Sequence, residues 1–283
     1  MTRILACIDP SAYATSVIDH ASWAAGRLDA RIEVLHVLQR KDAVAARRDL
    51  SGAVGLGAKS ALLEELTRID EAEGKLAQEQ GRALLASARA RLEEQSIADI
   101  TLTHRHGGIV ETIIEREAGA NLVVIGKRGA SADFASGHLG SKVERVVRQS
   151  SRPVLVASRA FQRPELAIVA FDGGASATRA LARAATSPLL RGVRLRIVMA
   201  AHDDAEAAAR LDRARELLAE RDDAEVVLRE GKPEPVIESE IEASGARLLI
   251  MGAYGHRPLR AFFVGSTTTH MIRSCTIPVL LSR

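Results

Sequence analysis

The chain carries one glycine-loop unit twice, and this duplication limits its possible folds more than any other feature. In each copy an apolar strand runs into a glycine, and a second glycine follows three residues later. A third glycine then opens a helix, and a proline leads into a terminal strand. The first copy places these landmarks at Gly126, Gly129, Gly140 and Pro153, the second at Gly252, Gly255, Gly265 and Pro278. The offset is 126 residues for the first glycines and 125 for the third glycines and the prolines. A repeat that long is a duplicated domain, not a solenoid turn. The openings agree too: ILACID, ending at Asp9, matches LAIVAFD, ending at Asp172. Those aspartates are 163 apart, so the first copy carries an insertion, which we place at about 39–95.

A length of 283 residues suits two domains of ordinary size. We expect strands at 4–9, 31–38, 100–103, 122–125 and 154–157, and again at 166–171, 195–199, 226–228, 248–251 and 279–281. Most are near-continuous apolar runs, the mark of a parallel sheet covered on both faces. Strands alternating with helices make each copy an α/β domain with right-handed crossovers. The expected division is 1–158, a short linker at 159–164, and 165–283.

Several function classes drop out on composition. No apolar run approaches the roughly 18 residues that span a bilayer, so no membrane partner is expected. The N-terminus enters a strand without a signal-peptide core. Only Cys7 and Cys275 are present, too few for a disulfide framework, which points to the cytoplasm. The net charge of +3 is mild, and aromatic residues make up just 3% of the chain. Without stacking platforms or a basic stripe, nucleic acid is not an expected partner. His104 and His106 are read as pointing to opposite faces of their strand. The other histidines look scattered, short of the three or four converging ligands a zinc site needs.

The glycine loops are where chemistry is expected. Glycines let backbone approach a ligand closely, and a helix start aims free N–H groups and a positive dipole end at it. Together these make an anion cradle. In an open parallel sheet the ligand crevice lies beyond the C-terminal strand ends, where strand order reverses. There Asp9 or Asp172 would meet the loop from the fourth strand. Both aspartates, and Ser141 and Ser266 at the helix starts, can equally serve as helix caps. Lys127, Arg128 and Lys142 in the first copy, and Arg257 and Arg260 in the second, suit phosphates.

The unit strand–G-x-x-G-x9-G-[ST]–helix–Pro-strand resembles the universal stress protein family, and two such units resemble its tandem members. The resemblance covers nearly the whole chain. It implies two tandem open parallel-sheet domains, Rossmann-like with strand order 3-2-1-4-5, forming a pseudo-dimer within one chain. It also implies an ATP or AMP site, with or without Mg2+, acting in stress response. The implied nucleotide positions are Asp172, Val198, Gly252, Gly255, Gly265 and Ser266 in the second half, and Asp9, Val37, Gly126, Gly129, Gly140 and Ser141 in the first. The first loop departs from the pattern, with ten residues at 130–139 instead of nine, so the second copy is the better-spaced site.

Three readings follow. The first is a cytoplasmic nucleotide-binding sensor, not an enzyme beyond slow ATP hydrolysis, since no Walker A sequence occurs. The second is a nucleotide-free interaction module, with the last strands of the two halves paired edge to edge and the 39–95 insertion as its partner surface. A homodimer of the whole chain is compatible with either. The third is an adenylate-forming enzyme, from a faint likeness of FDGGAS at 171–176 to an ATP pyrophosphatase loop.

Overall fold

The computed structural model describes residues 2–39, 56–129, 141–253 and 266–282, with backbone only at 56–63 and 141. The first half runs β1 (Thr2–Ile8), α1 (Ala14–Leu28), β2 (Ala30–Leu38), α2 (Leu56–Glu94), β3 (Ile100–His106), α3 (Ile109–Arg116), β4 (Leu122–Gly126), α4 (Ser141–Gln149) and β5 (Val154–Ala157). The second runs β6 (Leu166–Ala170), α5 (Ala175–Thr186), β7 (Arg194–Ala200), α6 (Ala205–Leu217), β8 (Ala224–Arg229), α7 (Pro233–Ser244), β9 (Leu248–Gly252), α8 (Ser266–Ser274) and β10 (Val279–Ser282). Local chemistry marks several boundaries. Asp204 caps α6 by accepting from the Ala207 N–H at 2.8 Å. Pro233 opens α7 and Gly245, at φ 67°, closes it in the left-handed conformation.

All ten strands form one sheet in the order β3-β2-β1-β4-β5-β10-β9-β6-β7-β8. Each half therefore has the order 3-2-1-4-5, and the two meet at their last strands. β5 and β10 pair antiparallel, with Leu155 opposite Leu280, while every other ladder is parallel. The pairing removes one open edge from each half, which would otherwise invite association with another chain. The edge-to-edge joining expected from sequence is thus present within the chain.

Because strand side chains alternate, the sheet feeds two cores. One face sends Ile4, Ala6, Ile32, Val34, Ile168's neighbours Ala167 and Val169, and Ile197 under α1, α2, α5 and α6. The other sends Leu5, Leu35, Val123, Leu249 and Leu281 under α3, α4, α7 and α8. Both cores cross the β5–β10 seam without a break. Glu33 is a buried charge in this frame, 2% exposed. Its carboxylate accepts from Arg3, from Arg116 Nε at 2.8 Å and from the Thr103 hydroxyl at 2.9 Å.

The described part of the expected insertion is a 39-residue helix, α2, of which the C-terminal part carries the buried residues Leu85, Ala88 and Leu92. Beneath Gly81 of this helix lies a histidine cluster. His36 and His104 have ring centroids 5.2 Å apart, and His104 stacks on His106 at 5.9 Å. A Cβ at position 81 would sit 2.7 Å from the His104 ring and 2.9 Å from that of His36. This corrects the sequence expectation: residues two apart on a strand share a face, so His104 and His106 point the same way. Among the described residues no group of three or more His, Cys, Asp or Glu is arranged to hold a metal ion.

Burial pushes His104 below its ordinary pKa, helped by its neighbours His36, His106 and Arg82. Burial also lowers His20, which is 1% exposed with Nδ1 2.7 Å from the Ser16 carbonyl. The fold favours the neutral form of both side chains, whereas the unfolded chain takes a proton on each near pH 6.5. Their contribution is therefore complete above about pH 6.5 and is lost as pH falls toward the lower folded values. We expect the urea midpoint to drop between pH 7.5 and 5.5, and to drop less in His104→Gln. An equal fall in the variant would exclude His104 as a source.

Candidate nucleotide site

β1 and β4 are adjacent, with Cys7 opposite Ile125, although a long stretch of chain separates them. Their C-terminal ends, at the reversal in strand order, bring Asp9 beside the glycine loop. A Cβ at Gly129 would lie 2.7 Å from Asp9 Oδ2, and one at Gly126 would lie 2.8 Å from the Tyr13 Cβ. The Tyr13 Cβ is fixed to its main chain, so the approach at Gly126 requires glycine, whereas the Asp9 tip near Gly129 can swing aside.

Over this junction opens a cavity of about 240 Å3. Its apolar walls are Leu35 and Val37 from β2, Ile109 and Ile113 from α3, Ile125 from β4, and Val143 and Val146 from α4. Its polar rim is Asp9, Gly126, Arg128, Gly129 and Lys142. The Arg128 Nε–H is buried and meets no acceptor among the described residues. Lys142 donates to the Gln39 side chain at 2.7 Å. Cys7 also lines the cavity, and burial pushes its thiol far above the ordinary range, which disfavours the nucleophilic thiolate. Lys127 turns elsewhere. It donates at 2.5 Å to the Cys275 carbonyl of the other half, so it ties the halves together instead of facing this cavity.

The first-half residues expected from sequence are brought together where the structure describes them: Asp9, Val37, Gly126 and Gly129 line the cavity, and Ser141 opens α4. Gly140 lies outside the described residues, as do Gly255, Gly265, Arg257 and Arg260. The isoleucines of α3 were not singled out from sequence. Their signal is the four-residue spacing behind Gly108, which puts both on one helix face.

The second half is built differently. Asp172 is exposed and accepts from the Gly174 N–H at 2.8 Å, so it closes a turn before α5. Val198 is buried in β7, and Ser266 opens α8 exposed. Gly252 serves a contact between strand and helix. A Cβ there would lie 2.5 Å from the Ser176 carbonyl carbon and 2.7 Å from the Ala177 nitrogen. Main chain cannot step aside as a side-chain tip can, so we expect Gly252→Ala to cost about 1–3 kcal/mol by overpacking. Urea unfolding measures this, and an unshifted midpoint would refute it.

The 125-residue offset sets Thr267 of α8 opposite Lys142 of α4. Thr267 carries no charge, and its hydroxyl donates at 2.6 Å to Glu234 in the first turn of α7. That hydrogen bond holds the Glu234 carboxyl below its usual range. One turn on, Glu238 accepts from the Ser274 hydroxyl at 2.6 Å. At this one position the first half carries a cation and the second a hydroxyl bound to a carboxylate.

A family model described as "Universal stress protein family" matches residues 1–158 and again 167–283. The chain belongs to that family, as a tandem member. A universal stress protein of Synechocystis sp. is 34% identical over 287 residues, and the match spans 100% of both chains. Among solved structures, a universal stress protein from Archaeoglobus fulgidus aligns with a TM-score of 0.73 at 23% identity, covering 99% of this chain and 98% of that one. A structure from Pseudomonas aeruginosa described as a putative universal stress protein aligns at 0.61 and 16% identity, covering 99% and 92%. These likenesses show the tandem universal stress fold over the full length of the described chain. Among the described residues no helix is long and apolar enough to cross a membrane.

Proposed function

We propose that this tandem universal stress protein binds one adenine nucleotide, ATP or AMP, in its first half, and acts as a cytoplasmic sensor in stress response. The observation that carries the reading is the first-half cavity, in which an apolar slot for a base opens onto Arg128 and Lys142 beside a helix start. Guanidinium and ammonium groups are the side chains that best receive phosphate. The choice of adenine rests on the family resemblance.

The second half is the poorer phosphate site despite its better loop spacing, because the Glu234 carboxylate of α7 reaches Thr267 in the first turn of α8. A carboxylate beside that helix start repels a second anion. Binding without fast turnover fits the absence of a Walker A sequence.

Equilibrium dialysis of the whole chain against labelled ATP tests this, with one equivalent expected. Two equivalents would overturn the asymmetry. None would select the nucleotide-free interaction reading, which the exposed Ile69 and Leu76 on α2 favour.

A further inference from the structure

The halves enclose a second cavity, of about 290 Å3, on the sheet face that carries α1 and α5. The first half contributes its strand beginnings there, with Leu122 and Pro153. The second contributes α5 and the 3-10 turn Pro188–Leu190, and Leu280 comes from the seam strand itself. It lies across the sheet from the nucleotide cavity, whose walls belong to the other core.

The lining is mainly hydrocarbon, with two polar features of note. Ser282 is 4% exposed, and its hydroxyl has no hydrogen-bond partner among the described residues. Buried hydroxyls nearly always have one, so an unmet one asks for a ligand or water. Arg183 stands exposed on α5 at the edge of the cavity, and no carboxylate among the described residues pairs with it. The volume exceeds that of an engineered apolar cavity of roughly 150 Å3 that takes up benzene.

We infer that this inter-half cavity binds a small amphiphile: an aliphatic carboxylate with a chain on the order of eight carbons. The chain fills the apolar space between the halves. The carboxylate meets the Arg183 guanidinium at the rim, and its other oxygen is the acceptor that the Ser282 hydroxyl lacks. Binding at the seam favours the docked arrangement of the halves, so ligand raises the stability of the whole chain by mass action. This site does not depend on the nucleotide reading.

Isothermal titration of the full chain with octanoate and with octanol tests the proposal, with Arg183→Gln and Ala184→Phe as variants. We expect saturable 1:1 binding of octanoate and a higher melting temperature. Arg183→Gln, at an exposed helix position, should weaken octanoate about tenfold and leave octanol unchanged. Ala184→Phe, which fills the cavity, should abolish both. No saturable binding by the native chain would overturn the inference, as would an Arg183→Gln variant that binds octanoate as the native chain does. Equal loss of octanoate and octanol in Arg183→Gln would also overturn it, since the head group would then have no role.

Discussion

Arg128→Ala should weaken ATP binding by roughly 10- to 100-fold and leave adenosine binding unchanged, the size expected for losing a charged hydrogen-bond donor. Arg128 stands on the polar rim of a cavity with mainly hydrocarbon walls, and its buried Nε–H lacks an acceptor among the described residues. A phosphate oxygen would supply one, while adenosine has no phosphate to lose. The comparison of the two ligands separates a local effect from a collapsed site. If both weaken alike, the cavity has changed shape and Arg128 is structural. If neither weakens, the phosphates lie elsewhere and the first-half assignment fails.

Glu33→Ala should destabilise the chain by about 3–5 kcal/mol, the usual cost of stripping one partner from a buried ion pair. Glu33 receives Arg3, Arg116 and Thr103 at once, and the Arg3 and Arg116 side chains are only 13% and 29% exposed. Removing the carboxylate leaves two guanidiniums close together with no neutralising charge. Glu33→Gln keeps the shape and some of the hydrogen bonds but not the charge, so it should fall between. Denaturant midpoints at neutral pH measure the series. A native-like midpoint for Glu33→Ala would show that water already screens the arginines.

Much of this architecture was legible in the chain. The repeated landmarks are backbone requirements, glycines where main chain must approach and prolines where a strand begins, so they survive as visible letters. Apolar runs of four or more residues marked the strands because both sheet faces are buried. The β5–β10 joining followed from the same logic, since a duplicated domain with one sticky edge has that edge to pair with its twin.

The site was legible only in part. Lys127 and Arg128 are neighbours and look alike on paper, yet one reaches the Cys275 carbonyl and the other lines the cavity. Loop spacing favoured the second copy, but Glu234 comes from a different helix and reaches Thr267 from 33 residues away. That Gly252 also packs against main-chain atoms of α5 was not visible in its spacing.

The amino-acid order alone determined that there are two α/β domains, where their strands lie and which loops could cradle an anion. Periodicity and special backbone positions are local properties, and a linear string preserves them. That Arg128 and Lys142 line one cavity, and that Glu234 meets Thr267 in the other copy, was decided only by the tertiary structure. Charge at a site is summed over side chains that meet through folding, and their separation along the chain carries no record of that meeting.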